Sequence, residues 1–116
     1  TLFRSDACQY ACGEDPDGLA VETLDREPFL AVNGVQTQSF AYGCLAAELD
    51  DLADAGVAWF RLSPQTVDMV AAARVFQDRL DGRIDGEAAR RAIAELAGPV
   101  PTANGYYHGR EGVQYA

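Results

Sequence analysis

Cys8 and Cys12, in the stretch RSDACQYACGEDPDGL, are the residues whose type and spacing most readily do chemistry. Thiolates separated by three residues can converge on one metal ion or cluster when the backbone between them turns or is helical. Two ligands do not complete a site. Zinc and iron–sulfur centres usually take four, and the further candidates here, Cys44 and His108, lie far off in sequence. Spacing by itself leaves three readings open: metal ligands, unpaired buried thiols, or a disulfide. His108, the only histidine, is a candidate proton shuttle in an aromatic, Gly-rich tail, with no base-plus-orienter pair legible around it. Its neighbours Tyr106 and Tyr107 either line a pocket or close a rim by packing.

A second group of candidates depends on where strands end. FLAVN at 29–33 and VAWFRL at 57–62 are compact apolar runs that read as strands, and α/β folds place ligand groups in the loops leaving the carboxyl ends of parallel strands. Those loops hold Asn33, Gln36 and Gln38, which donate and accept hydrogen bonds, and Arg61, whose fork matches a carboxylate. Each has a plainer role available, local capping for the amides and an ordinary salt bridge for Arg61.

The elements that must position these residues follow from turn chemistry and periodicity. DPDG at 15–18 reads as a turn, LAVET at 19–23 as a short strand, and DREP at 25–28 as its break. The continuous apolarity of 29–33 predicts burial on both faces, and VQTQSF after Gly34 reads as a polar loop. Leu45, Leu49 and Leu52 predict a helix stopped by Gly56, with Glu48, Asp50, Asp51 and Asp54 on its solvated side. After the strand at 57–62, Ser63 or Thr66 is expected to cap a helix with Met69, Ala72, Ala73, Phe76 and Leu80 on one face. Asp85 starts a further helix to Ala97, with Ala89, Ile93 and Leu96 inward and Gly98-Pro99 as terminator. Cys44 reads as a buried structural thiol at the start of the Leu-striped helix. Residues 1–18 form a cysteine-bearing loop and 99–116 a tail without a clear period.

Strand, helix, strand, helix is the order of a parallel sheet covered by helices. Two such strands leave unpaired edges, and the chain starts TLFRSDAC without Met, so it is expected to be the C-terminal part of a longer single domain. Composition bounds the function classes. The 116 residues are 48% hydrophobic and 23% charged, as in globular proteins, with no apolar run near the roughly 18 to 20 residues of a membrane span. Net charge is −9 and all nine basic residues are Arg, which disfavours nucleic acid and anionic bilayers. Three cysteines are too few, and odd in number, for a secreted disulfide framework, and no signal-peptide pattern is present, so the cytoplasm is expected.

A longer pattern embeds the cysteines. CQYACGEDPDGLAVETLDREPFLAVNGVQTQS resembles the C-x3-C, PDGL, T-x-x-x-x-PFL-x-x-NG-x-Q-T-x-S segment of the UbiV-like anaerobic ubiquinone-biosynthesis proteins, in the collagenase-type peptidase superfamily. ELDDLADAGVAWFRLSPQ is similar to that family's helix, Gly-Val turn and L-R-L-S-P strand end, and NGYYHGREG to its C-terminal N-G-Y-aromatic-x-G element. The resemblance spans essentially the whole chain. It implies the late βα units and closing tail of a TIM-barrel-like α/β domain, and makes Cys8 and Cys12 two of four ligands to a 4Fe-4S cluster. The other two family ligands lie N-terminal to this pair, so the fragment alone is not expected to hold the cluster.

Functionally, the resemblance implies an iron–sulfur subunit in the oxygen-independent hydroxylation of a ubiquinone precursor, with prephenate as the implied hydroxyl donor. It acts with a UbiU-like partner in a heterodimer and with a lipid-carrier protein that presents the prenylated ring. The catalytic residues are not legible. Alternatives are an RNA-hydroxylating or peptidase-type member of the same superfamily, or a non-catalytic scaffold. Charge argues against RNA, and no Ser–His–acid, Cys–His or HExxH pattern supports a peptidase.

Overall fold

In the computed structural model, which describes residues 8–116, DPDG behaves as its residue types dictate. Gly18 N–H donates to Asp15 O at 2.8 Å, and Gly18 takes φ 97°, a backbone region that costs glycine little. The turn leads into β1 (Leu19–Glu22), which pairs antiparallel with β2 (Pro28–Asn33). Between them Thr23 and Glu27 hold the break closed: Thr23 N–H reaches Glu27 O at 2.9 Å, and Glu27 N–H reaches Thr23 Oγ1 at 3.1 Å.

At the next turn the chain departs from the expected loop. Residues 36–39, expected to be loop, form β3 (Gln36–Ser39), paired antiparallel with β2 from Asn33↔Gln36 to Leu30↔Ser39. Only Gly34 and Val35 lie between the strands. Gly34 at φ 59° supplies the positive φ that a two-residue hairpin needs at its first central position, and the chain turns straight back. Polar side chains do not prevent this, because an exposed strand needs backbone partners more than apolar residues. β2 is therefore the centre of an antiparallel sheet of order β1-β2-β3, and its apolar run is exposed to half-buried rather than covered on both faces.

The chain divides after Phe40, and Ala41–Ala116 forms a second unit with its own core. Here the parallel pair is not 29–33 with 57–62 but β4 (Tyr42–Gly43) with β5 (Thr102–Ala103). Residues 57–62 form no strand, and Trp59 is 91% exposed. Apolarity makes a segment able to be a strand; a ladder partner makes it one, and this stretch has none among the described residues.

α1 (Leu49–Asp54) begins later than the leucine spacing predicts, leaving Leu45 in the preceding turn. Its end is as expected. Gly56 takes φ 97°, Gly56 N–H bonds Ala53 O, and Val57 N–H bonds Leu52 O, the two bonds of a Schellman stop. α2 (Met69–Leu80) is capped neither by Ser63 nor by Thr66 but by Asp68, whose Oδ1 accepts from Ala71 N–H at 3.0 Å. The cap lies two residues beyond Thr66, and the inward face moves with it. Ala72, Val75, Phe76 and Arg79 are covered, while Ala73 and Leu80 are exposed. Arg79 is held by an ion pair with Asp50.

α3 (Gly86–Ala97) starts at Asp85 as expected, with Asp85 Oδ1 accepting from Ala88 N–H at 2.7 Å, and ends at Gly98. Cys44, Ala46 and Ala89 form the centre of the core, against Val75, Phe76, Ile84 and Ile93. Small residues let the backbones meet: a Cβ on Gly86 would lie 3.0 Å from Ala47 Cα. Among the described residues the architecture is thus mixed α/β, with two small sheets and three α-helices. No helix among the described residues is long and apolar enough to cross a membrane.

Candidate functional site

In the first unit, Cys8 and Cys12 are exposed and not disulfide-bonded. The backbone turns between them: Tyr10 adopts φ 54°, its N–H points to Cys8 Sγ at 3.4 Å, and a 3-10 helix Ala11–Glu14 carries Cys12. Among the described residues no group of three or more His, Cys, Asp or Glu is gathered that could hold a metal ion.

The amide candidates are used locally. Asn33 Nδ2 donates to Pro16 O at 3.3 Å, tying the hairpin to the DPDG turn, and Gln38 Nε2 donates to Gln36 Oε1 at 3.2 Å. Asn33 and Gln36 face each other across the hairpin turn rather than in a loop leaving a parallel strand. In the second unit Arg61 is exposed and has no ion pair among the described residues.

His108 is where structure adds most. Its Nε2 lies 2.9 Å from Glu48 Oε1, and the same oxygen accepts from Asn104 Nδ2 at 2.8 Å. Glu48, read from sequence as a solvated acid, is only 7% exposed. The helical-face argument fails because Glu48 is the residue before α1, where the chain has not yet adopted helical geometry and the side chain turns towards the tail. Asn104 is itself fixed from the other side. Its Oδ1 accepts from Ala116 N–H at 2.7 Å, and Gln114 O accepts from both Asn104 and Gly105 N–H, so residues 104–116 close on themselves. Gly105 permits the closure, since a Cβ there would fall 1.8 Å from Glu111 O.

Two buried polar atoms in this neighbourhood have no partner among the described residues, Glu48 Oε2 and Tyr115 Oη. Burial, then the negative charge of Glu48, pushes the Tyr115 phenol up to about 12, against the opposing Arg90 guanidinium 5.2 Å from the ring centre. Burial also pushes the Cys44 thiol up, with Glu48 adding to the shift, while a backbone hydrogen bond at Ala46 and Arg90 oppose it. At neutral pH both groups stay protonated. Glu48 Oε1 already accepts from Asn104 Nδ2, and a carboxylate oxygen accepting here as well takes its hydrogen from His108 Nε2; a ring with one hydrogen then has Nδ1 as its acceptor. Nδ1 makes no hydrogen bond among the described residues, and the side chain is 36% exposed. Chemically this is an oriented imidazole with a carboxylate behind it.

Glu48 was not legible as the partner of His108 and Asn104, because 60 and 56 residues separate it from them. The one available signal was that a lone histidine and an Asn-Gly stood in a tail too apolar and glycine-rich to be a plain linker. No family model, curated protein or solved structure matches this chain.

Proposed function

We propose that the chain is the C-terminal part of an iron–sulfur subunit of an oxygen-independent hydroxylation system in ubiquinone biosynthesis. Its α/β elements belong to a TIM-barrel-like domain that works in the cytoplasm with a UbiU-like partner and a lipid-carrier protein. Cys8 and Cys12 carry the proposal. They are exposed, unbridged thiols either side of a left-handed turn, in the same order with PDGL and NG-x-Q-T-x-S on which the resemblance rests.

The donor chemistry fits in kind and is incomplete in number. Cysteine thiolates are the ligands of 4Fe-4S clusters, and two of them are half of the usual set, so the remaining two come from elsewhere in the longer protein. When bound, the cluster supplies electron transfer in place of molecular oxygen. Cys8 and Cys12 would hold one side of it, at the solvent-exposed edge of the first unit.

The test uses the longer protein, purified without oxygen. Cys8→Ala and Cys12→Ala are each expected to lose iron and the visible cluster absorbance, and to abolish hydroxylation of the quinone precursor. Full iron content in the double variant refutes the ligand assignment. Loss of the cluster with hydroxylation intact leaves a non-catalytic scaffold. RNA binding that weakens steeply with salt moves the protein to the RNA-hydroxylating members of the superfamily.

A further inference from the structure

The geometry points to an acid–base site in the second unit, separate from the cysteine pair: His108 exchanges a proton with a hydroxyl-bearing small molecule, and Glu48 positions it. Three observations converge. The imidazole Nε2 is fixed on Glu48 Oε1 at 2.9 Å, and Asn104 grips the same oxygen at 2.8 Å, so the ring is held by a carboxylate that is itself held. The histidine side chain remains 36% exposed while the carboxylate behind it is 8% exposed, so a ligand meets the imidazole and not the acid. Glu48 Oε2 and Tyr115 Oη are both closed to solvent without a partner among the described residues.

Native proteins rarely leave buried polar atoms unmatched, and holding His108 and Asn104 does not require a carboxylate with one oxygen taken twice and the other empty. A purely structural role would be met more cheaply by an amide at position 48, which would satisfy His108 and Asn104 without burying a charge. A carboxylate earns its place when the ring becomes cationic. In the step proposed, the substrate O–H bond breaks and a proton bonds to His108 Nδ1. The electron pair stays on the substrate oxygen, and Glu48 balances the new imidazolium charge. Glu48 never touches substrate and is a positioning residue. Tyr107, edge-on to His108 with ring centres 5.1 Å apart, limits how far the ring can swing. The chain's net charge of −9 favours neutral or cationic substrates over anions.

The experiment takes the chain as it is, with p-nitrophenyl acetate as the probe ester and water as the hydroxyl that gives up its proton; a rate that slows in deuterium oxide is expected, and one that does not marks attack by the ring nitrogen and overturns the proposal. His108→Gln serves as the blank, which cancels any ester cleavage by the exposed thiols. The His108-dependent rate is expected to exceed that of the same concentration of free imidazole by roughly 10-fold or more, and to fall several-fold in Glu48→Gln. Because there is one histidine, nitrogen-15 NMR of the unaltered chain reads its tautomer directly, and the expected result is Nε2–H with Nδ1 bare. A Nδ1–H tautomer, or the mixture shown by a free imidazole, overturns the proposal whether or not Glu48→Gln folds. A His108-dependent rate no greater than that of free imidazole overturns it equally. Neither readout depends on an iron–sulfur cluster, so failure here leaves the cysteine proposal standing and failure there leaves this one.

Discussion

Asn104→Ala should destabilise the second unit more than any other single amide-to-alanine change in this chain. Asn104 is 4% exposed and makes two short contacts, Nδ2 to Glu48 Oε1 at 2.8 Å and Oδ1 from Ala116 N–H at 2.7 Å. The first is a bond to a carboxylate, worth about 1.5–3 kcal/mol, and the second a neutral bond worth about 1 kcal/mol. Their loss also leaves Glu48 with His108 as its only partner among the described residues, so the expected cost is about 2–4 kcal/mol. With a urea slope of roughly 1–3 kcal/mol per molar, the midpoint should fall by on the order of 1–2 M, followed by circular dichroism of α2 and α3. Asn104→Asp sharpens the test. It keeps the shape but replaces a donor by a second carboxylate facing Glu48, so the loss should be at least as large at neutral pH and should shrink as acid restores a donor. A midpoint within about 0.3 M of the parent for both variants would refute the claim that Asn104 anchors the acid and the tail.

Three thiols should divide two to one in a disulfide-exchange titration of the native chain. Cys8 and Cys12 react fast, and Cys44, covered and held as the thiol by burial, reacts only on unfolding; equal rates for all three would contradict the placement of Cys44. Stability should also fall in strong alkali. The Tyr115 phenol titrates near 10 when unfolded and about 12 when folded, so its contribution is intact below pH 10 and lost as the pH rises towards 12. Two units correspond to at most about 2.7 kcal/mol, reduced to roughly 1–2 kcal/mol because the ring is partly exposed. Tyr115→Phe should remove most of that slope and, by deleting an unpartnered hydroxyl, cost little or nothing at neutral pH. An unchanged alkaline profile would place the phenol in solvent.

What was legible in the sequence is what neighbouring residues decide among themselves. The DPDG turn, the Gly56 stop, the Asp85 start and the Gly98-Pro99 end depend on positive φ or on a side chain reaching a backbone N–H three residues on. These elements form as the local chemistry states. The errors arose where a partner far along the chain was needed. VAWFRL has the composition of a strand and no ladder, QTQS has the composition of a loop and a ladder on β2, and the start of α2 moved to Asp68 because one cap outcompeted two others.

The candidate sites divide along the same line. Cys8 and Cys12 stood out because residue type and a spacing of four are properties of a few neighbouring residues. The Glu48–His108–Asn104 cluster was invisible because no local rule distinguishes one acid of eighteen as the one that is buried. Sequence by itself determined the turn and cap chemistry, the acidic charge and a thiol pair with ligand spacing, all short-range properties of the covalent chain. Only the tertiary structure decided which acid stands behind the histidine. That choice depends on residues 104–116 closing onto the start of α1, a long-range contact whose free energy no segment carries alone.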